Sequence, residues 1–188
     1  MALEAHESEA ATVKRVHIVQ GEQGVSDCPD TVFATLLGSC VSACMRDPVA
    51  GIGGMNHFLL PGGDARGRGE DSVRHGVHAM ELLVNALLRQ GARRERLEAK
   101  LFGGGNLMDG LTDVGAMNAA FAESFLKKEG IQHCGGSLGG RQGRRIQFWP
   151  VSGRARQVLL APNEAAPFDR ERIIRPPTPA PSGNLELF

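Results

Sequence analysis

The sequence has no excess of charge: 21 Lys and Arg stand against 21 Asp and Glu in 188 residues, a formal net charge of zero. A chain without a positive surplus does not concentrate nucleic acid or anionic lipid around itself, so a dedicated nucleic-acid binder is disfavoured. No stretch approaches the ~20 apolar residues of a membrane span. The first dozen residues carry Glu4, Glu7 and Glu9 and no apolar run, unlike a secretory signal. These absences set the expectation of a cytoplasmic chain with no membrane insertion. The only cysteines are Cys28, Cys40, Cys44 and Cys134, with no CxxC pair among them. Neither a disulfide framework nor a structural zinc site is therefore expected. The glycine clusters Gly103–Gly105 and Gly135–Gly140 match neither GxxxxGK[ST] nor GxGxxG, which leaves tight turns or close backbone packing as their use. No internal repeat, metal site or cofactor motif is found.

What is present suffices for one folded domain. Hydrophobic residues make up 41% of the chain, enough for a single core at this length. Six of the ten prolines fall between Ala161 and Phe188, and at that density they block helix and sheet ladders. The expected division is a flexible segment over 1–13, a folded domain over 14–160 and a flexible Pro-rich tail over 161–188. Two segments read as helices. In the first, Ser72 is the expected N-cap, Val73, Val77, Met80, Val84 and Leu87 recur at helical spacing, and Gly91 ends the run. The second starts near Thr112 or Asp113, aligns Met117, Phe121 and Phe125, and closes with Lys127 and Lys128 before Gly130. Candidate strands are 15–19, 41–46, 52–60, 97–102, 131–138, 144–149 and 156–160. Strands that outnumber two main helices, without regular βαβ alternation, predict an α+β fold with helices flanking β-sheets.

The chemistry concentrates at one predicted hairpin. Asp47-Pro48 opens a turn, and a loop over Asp47–Ala50 sets Arg46 opposite Gly51, which places Cys40 opposite His57. Directly opposed side chains have Cβ atoms ~4.5–5.5 Å apart, close enough for a thiol and an imidazole to share a hydrogen bond. An imidazolium stabilises a thiolate, the attacking species in acyl chemistry. The same two residues also suit a buried reduced cysteine and a structural histidine, and spacing alone leaves both readings open. Cys28, Cys44 and Cys134 read as packing residues, and His75 and His78 as surface residues.

Four ordered blocks carry a resemblance. Thr35-Leu36-Leu37-Gly38-Ser39-Cys40-Val41 with Arg46-Asp47-Pro48, Gly54-Met55-Asn56-His57-Phe58-Leu59-Leu60-Pro61, Lys100-Leu101-Phe102-Gly103-Gly104-Gly105-Asn106 and Leu138-Gly139-Gly140-Arg141-Gln142-Gly143-Arg144-Arg145 together resemble the CheD family. These are chemoreceptor glutamine deamidases of bacterial and archaeal chemotaxis. The resemblance spans about Val16 to Leu160. It implies a protein-glutamine deamidase with Cys40 as nucleophile, His57 as general acid/base and Thr35 as a third, supporting polar residue. With that activity the backbone N–H groups of Ser39 and Cys40 are expected to stabilise an oxyanion, and glutamyl methyl esters are a related substrate.

The implied partner is the helical cytoplasmic bundle of a chemoreceptor. From Ile131 through Pro162 there is no Asp or Glu, while Arg141, Arg144, Arg145, Arg154 and Arg156 all fall there. That asymmetry suits docking of an acidic partner through arginine, and equally suits a solvated strand surface. Two other functions compete. One is a mainly non-catalytic module that regulates a CheC-type phosphatase or a response regulator; the other is a different Cys-His enzyme, such as a protease or acyl transferase.

Overall fold

The computed structural model describes residues 13–61, 69–107 and 114–161. The acidic segment up to Thr12, the Pro-rich tail from Pro162 and the expected helix start at Thr112 or Asp113 lie outside the described residues. In chain order the elements are β1 (Lys14–His17), β2 (Gln23–Ser26), β3 (Thr31–Leu37), β4 (Val41–Asp47), β5 (Ile52–Asn56), α1 (Gly69–Arg89), a 3-10 turn (Arg94–Arg96), β6 (Glu98–Gly103), α2 (Val114–Glu129), β7 (Gln132–Leu138), β8 (Arg144–Trp149) and β9 (Arg154–Leu159).

Alternation along the strands decides how these elements stack, because successive side chains point to opposite sheet faces. The strands form a four-stranded sheet, β1-β3-β8-β9, and a five-stranded sheet, β2-β5-β4-β6-β7. Phe33, Leu37, Ile146 and Phe148 of the first meet Cys44, Met55 and Phe102 of the second in one buried cluster. On its other face the five-stranded sheet presents Ala43, Met45, Ala99 and Leu101 to Met80, Leu83 and Leu87 of α1 and to Ala122, Phe125 and Leu126 of α2. The result is three layers, sheet on sheet on helices, an α+β fold as expected from the composition of elements. The strands β6 and β7 are parallel, so the chain between them must cross over, and α2 makes that crossing.

Several local expectations change. Two strands, β2 and β3, escape the sequence pattern. The strand β3 is buried on both faces, its threonines Thr31 and Thr35 included, so it lacks the alternation that marks a half-exposed strand. Ser72 lies inside α1, where its hydroxyl donates to Pro61 O at 2.6 Å, rather than capping the helix. Val73 is 48% exposed, and the face of α1 turned to the sheet runs through Gly76, Met80, Leu83 and Leu87. Gly76 is required there, since a Cβ would lie 2.5 Å from Leu60 Cδ2. On α2, Met117 is 43% exposed; the buried stripe is Gly115, Asn118, Ala122, Phe125 and Leu126. Gly91, at φ +102, ends α1 region as its sequence position predicts. No helix among the described residues is long and apolar enough to cross a membrane.

Candidate active site

The β4–β5 hairpin closes one residue later than its sequence suggests, and the reason is Asp47. Its carboxylate is fully buried and accepts from the N–H groups of Val49 (2.9 Å) and Ala50 (3.0 Å), while Gly51, at φ +68, donates to Asp47 O at 3.0 Å. Asp47 therefore pairs with Ile52 and Cys44 with Met55. Burial raises the Asp47 carboxyl, but Arg96 and three backbone N–H groups outweigh it and hold the group below the usual carboxylate range. The predicted register, with Cys40 directly opposite His57, is thus displaced by two residues. Val41 and Phe58 are opposed instead and exchange both backbone hydrogen bonds at 2.9 Å. A two-residue displacement preserves the face. Cys40 and His57 accordingly lie on the same side of the sheet as diagonal neighbours, a separation that an imidazole still reaches across.

The third residue comes from the other sheet. Thr35, on β3, is buried. Its hydroxyl donates to Ile18 O at 2.6 Å and lies 2.9 Å from His57 Nδ1. A hydroxyl has one proton, and it is committed to Ile18 O. The Nδ1 atom must then be the donor in the second contact, so the neutral ring carries its proton on Nδ1 and leaves Nε2 as a base. That Nε2 atom is buried with no hydrogen-bond partner. Desolvation by burial pushes the His57 imidazole down to about 4, against a weaker opposing effect from Ile18 O. At neutral pH the ring is uncharged. The expected hydrogen bond between thiol and imidazole is not formed in this state: Nε2 is unpartnered, and the Cys40 thiol is directed to Gln20.

Cys40 sits at the mouth of β4 and is itself wholly buried. Its Sγ donates to Gln20 Oε1 at 3.7 Å, and Gln20 is an exposed residue. The three carbonyls around the thiol are each held. Gly38 O accepts from Gly105 N–H and Cys40 O from Gly104 N–H, both at 2.8 Å; Ser39 O accepts from Asn118 Nδ2 at 2.9 Å. In a planar trans peptide the N–H points away from the C=O. The Ser39 and Cys40 N–H groups are thereby directed away from Gly105 and Asn118. Glycine is needed for this approach: at Gly103, φ +110, a Cβ would fall 2.1 Å from Cys40 O. This is the use of the Gly103–Gly105 cluster.

Asn118 is a residue that sequence reasoning missed. It is fully buried on α2, and its Oδ1 accepts from Leu60 N–H at 2.9 Å while its Nδ2 holds Ser39 O. It ties the chain after His57 to the chain before Cys40. A polar residue interrupting the apolar stripe of α2 is the signal that marks it.

Of the five arginines read as a docking surface, Arg141, Arg145, Arg154 and Arg156 are exposed and Arg144 is not. Arg144 is 2% exposed; its guanidinium donates to Ser137 O at 2.7 Å and to Gly139 O. Those carbonyls turn it inward as a brace for the β7–β8 loop, and burial lowers its pKa. Among the other cysteines, Cys44 is a packing residue, its thiol pushed up to about 12 chiefly by burial. Cys28 is exposed and Cys134 half-buried, so the packing assignment fails for Cys28, which lies in the polar turn before β3.

Comparison with known proteins identifies the family. Residues 59–158 match the family model described as CheD chemotactic sensory transduction. That span begins just after His57. Whole-chain relatives cover the rest. A protein of Caulobacter sp. (strain K31), named "Probable chemoreceptor glutamine deamidase CheD", is 56% identical over 98% of both chains. One of the same name from Acidiphilium cryptum (strain JF-5) is 60% identical over 93% of this chain and 94% of its own. Another from Agrobacterium fabrum (strain C58 / ATCC 33970) is 55% identical over 95% of this chain and 98% of its own. A family match over more than half the residues, and identities of this size over nearly the whole length, allow one conclusion: the chain belongs to the CheD family.

Proposed function

We propose that this protein is a chemoreceptor glutamine deamidase, hydrolysing the side-chain amide of specific receptor glutamines to glutamate through a Cys40 thioester. The observation that carries this reading is the Thr35–His57 contact, which leaves Nε2 of a neutral imidazole as an unpartnered buried base on the face that also bears Cys40. A primary amide is a poor electrophile whose nitrogen must gain a proton to leave. His57 Nε2 takes the Cys40 thiol proton as Sγ bonds to the glutamine carbonyl carbon. The developing oxyanion is placed toward the Ser39 and Cys40 N–H groups. The imidazolium then gives its proton to the departing ammonia. It next accepts a proton from a water that attacks the thioester, releasing glutamate and restoring the thiol. Glutamyl methyl esters present the same carbonyl to the same groups, with methanol leaving in place of ammonia.

The substrate is a side chain projecting from the helical receptor bundle, so docking needs a surface beside the site. Arg145 pairs with Leu36 and Val158, and Arg156 with Gln147, across the four-stranded sheet. Arg145, Arg154 and Arg156 are exposed and share the outer face of that sheet, with Arg154 stacked 3.8 Å over Trp149. This cationic face suits an acidic partner, either the receptor or a second chemotaxis protein such as a CheC-type phosphatase or a response regulator. Mass spectrometry of receptor cytoplasmic segments tests the activity. The native chain is expected to convert glutamine to glutamate with release of ammonia and no peptide cleavage, and Cys40→Ala to leave the amide intact. Conversion by Cys40→Ala at the native rate overturns the assignment, and a native chain that only binds receptor or partner favours the non-catalytic module.

A further inference from the structure

The thiol of Cys40 is buried, and among its contacts is a side chain to which the deamidation scheme gives no role. Gln20 lies in a four-residue turn, Val19–Glu22, closed by Glu22 N–H to Val19 O at 3.0 Å. Gly21 adopts φ +85, the value that position i+2 of a type II turn requires. The Glu22 carboxylate reaches back to accept from Val19 N–H at 3.1 Å, so the turn is braced at both ends. It is also fastened to the base: Gly21 N–H donates to His57 O at 2.8 Å and His57 N–H donates to Glu22 O at 3.0 Å. Nucleophile, base and the Gln20 carboxamide thus belong to one frame. Holding an exposed, rotamer-rich glutamine in one place costs side-chain entropy, and this turn sets it 3.7 Å from the nucleophilic sulfur.

A carboxamide in that position has a specific capacity. When Sγ bonds to the substrate carbon, the carbonyl oxygen of the same carbon develops charge beside the sulfur. An effective donor stands ~2.7–3.1 Å from that oxygen. A half-turn of the terminal torsion of Gln20 exchanges Oε1 for Nε2, and small rotations about its other torsions clear room for the incoming amide. We infer that Gln20 is a further catalytic residue, whose Nε2 donates to the oxyanion alongside the Ser39 and Cys40 N–H groups. The inference rests on the deamidase reading and adds to it the one donor that is supplied by a side chain. Two other roles for Gln20 make opposite predictions. A mere cover over the thiol would slow the enzyme, and an intramolecular substrate would itself be converted to glutamate.

The test uses the full chain with receptor cytoplasmic segments, comparing native protein with Gln20→Ala and Gln20→Glu. The donor role predicts a kcat roughly 10²–10³ lower in Gln20→Ala, with KM little changed. Gln20→Glu, which keeps the acceptor oxygens and loses the NH2, should fall at least as far. Thermal unfolding should match the native chain, since the side chain is exposed on a turn. Undiminished or faster turnover in Gln20→Ala, with faster alkylation of Cys40, overturns the inference in favour of a cover. Native-like turnover in Gln20→Glu overturns it also, and so does conversion of residue 20 to glutamate in the native chain but not in Cys40→Ala. A native chain inactive on receptor would instead remove the deamidase reading beneath it.

Discussion

Replacing Thr35 with valine keeps the shape of the side chain and removes its hydroxyl, so it isolates what the hydroxyl does for His57. In the native arrangement the Nδ1–H has a buried acceptor at 2.9 Å. In Thr35→Val that donor is left with only the long contact to Ile18 O at 3.5 Å, at a penalty of about 1–3 kcal/mol. The ring escapes the penalty by moving its proton to Nε2, which destroys the base. A difference of about 1–3 kcal/mol between the tautomers corresponds to a factor of roughly 5–150 in population, and kcat for ammonia release should fall by that factor. Nitrogen NMR of the labelled imidazole reports the tautomer directly and should show the proton moved from Nδ1 to Nε2. Thr35→Ser, which restores a hydroxyl, should recover most of the activity. Full turnover in Thr35→Val with the proton still on Nδ1 would refute the reasoning, because the hydroxyl would then neither select the tautomer nor matter to catalysis.

The remaining predictions concern pH and docking. Burial lowers the His57 imidazole to about 4 from an unfolded value near 6.5. Between those values the unfolded chain binds a proton that the folded chain does not, so stability rises with pH across the window and is lost as pH falls through it. The loss amounts to about 3 kcal/mol from pH 7 to below 4. Denaturant unfolding of His57→Gln should show a correspondingly flatter slope over that range, and an unchanged slope would contradict the burial argument. Reversing charge in Arg145→Glu with Arg156→Glu should weaken binding to the receptor segment roughly two- to thirtyfold, since each exposed pair is worth about 0.2–1 kcal/mol. The effect should fade as salt is raised; affinity that does not change at low salt removes the docking face.

The sequence was most informative where chemistry and local spacing coincide. Cys40, His57 and Thr35 lie within ordered blocks that carry the family resemblance, and the hairpin put the first two on a shared face even though its register was displaced by two. The displacement came from Asp47, whose carboxylate caps the turn it was expected merely to open; no spacing rule weighs a side chain that binds its own loop. Asn118 and Gln20 stayed hidden because each belongs to no motif and acquires its meaning only when distant segments are brought together. Arg144 was misassigned because arginine is rarely buried, and local composition does not reveal that the neighbouring glycine loop will turn its carbonyls onto the guanidinium. The strand β3 was overlooked because a segment covered on both faces carries no period of two.

The imidazole and the hydroxyl that orients it ride on different slabs of the molecule. The hydroxyl that sets the ring tautomer belongs to the four-stranded sheet, whereas the sulfur and the ring border the strands of the five-stranded one. Between the slabs lie apolar packing and scattered side-chain hydrogen bonds, such as Lys100 Nζ to Gly153 O and Arg144 to Ser137 O, both at 2.7 Å, which set sideways alignment less firmly than a continuous ladder does. Slippage too small to disturb either ladder would still part the hydroxyl from the ring. Turnover is therefore a more sensitive gauge of that seam than any measure of strand content.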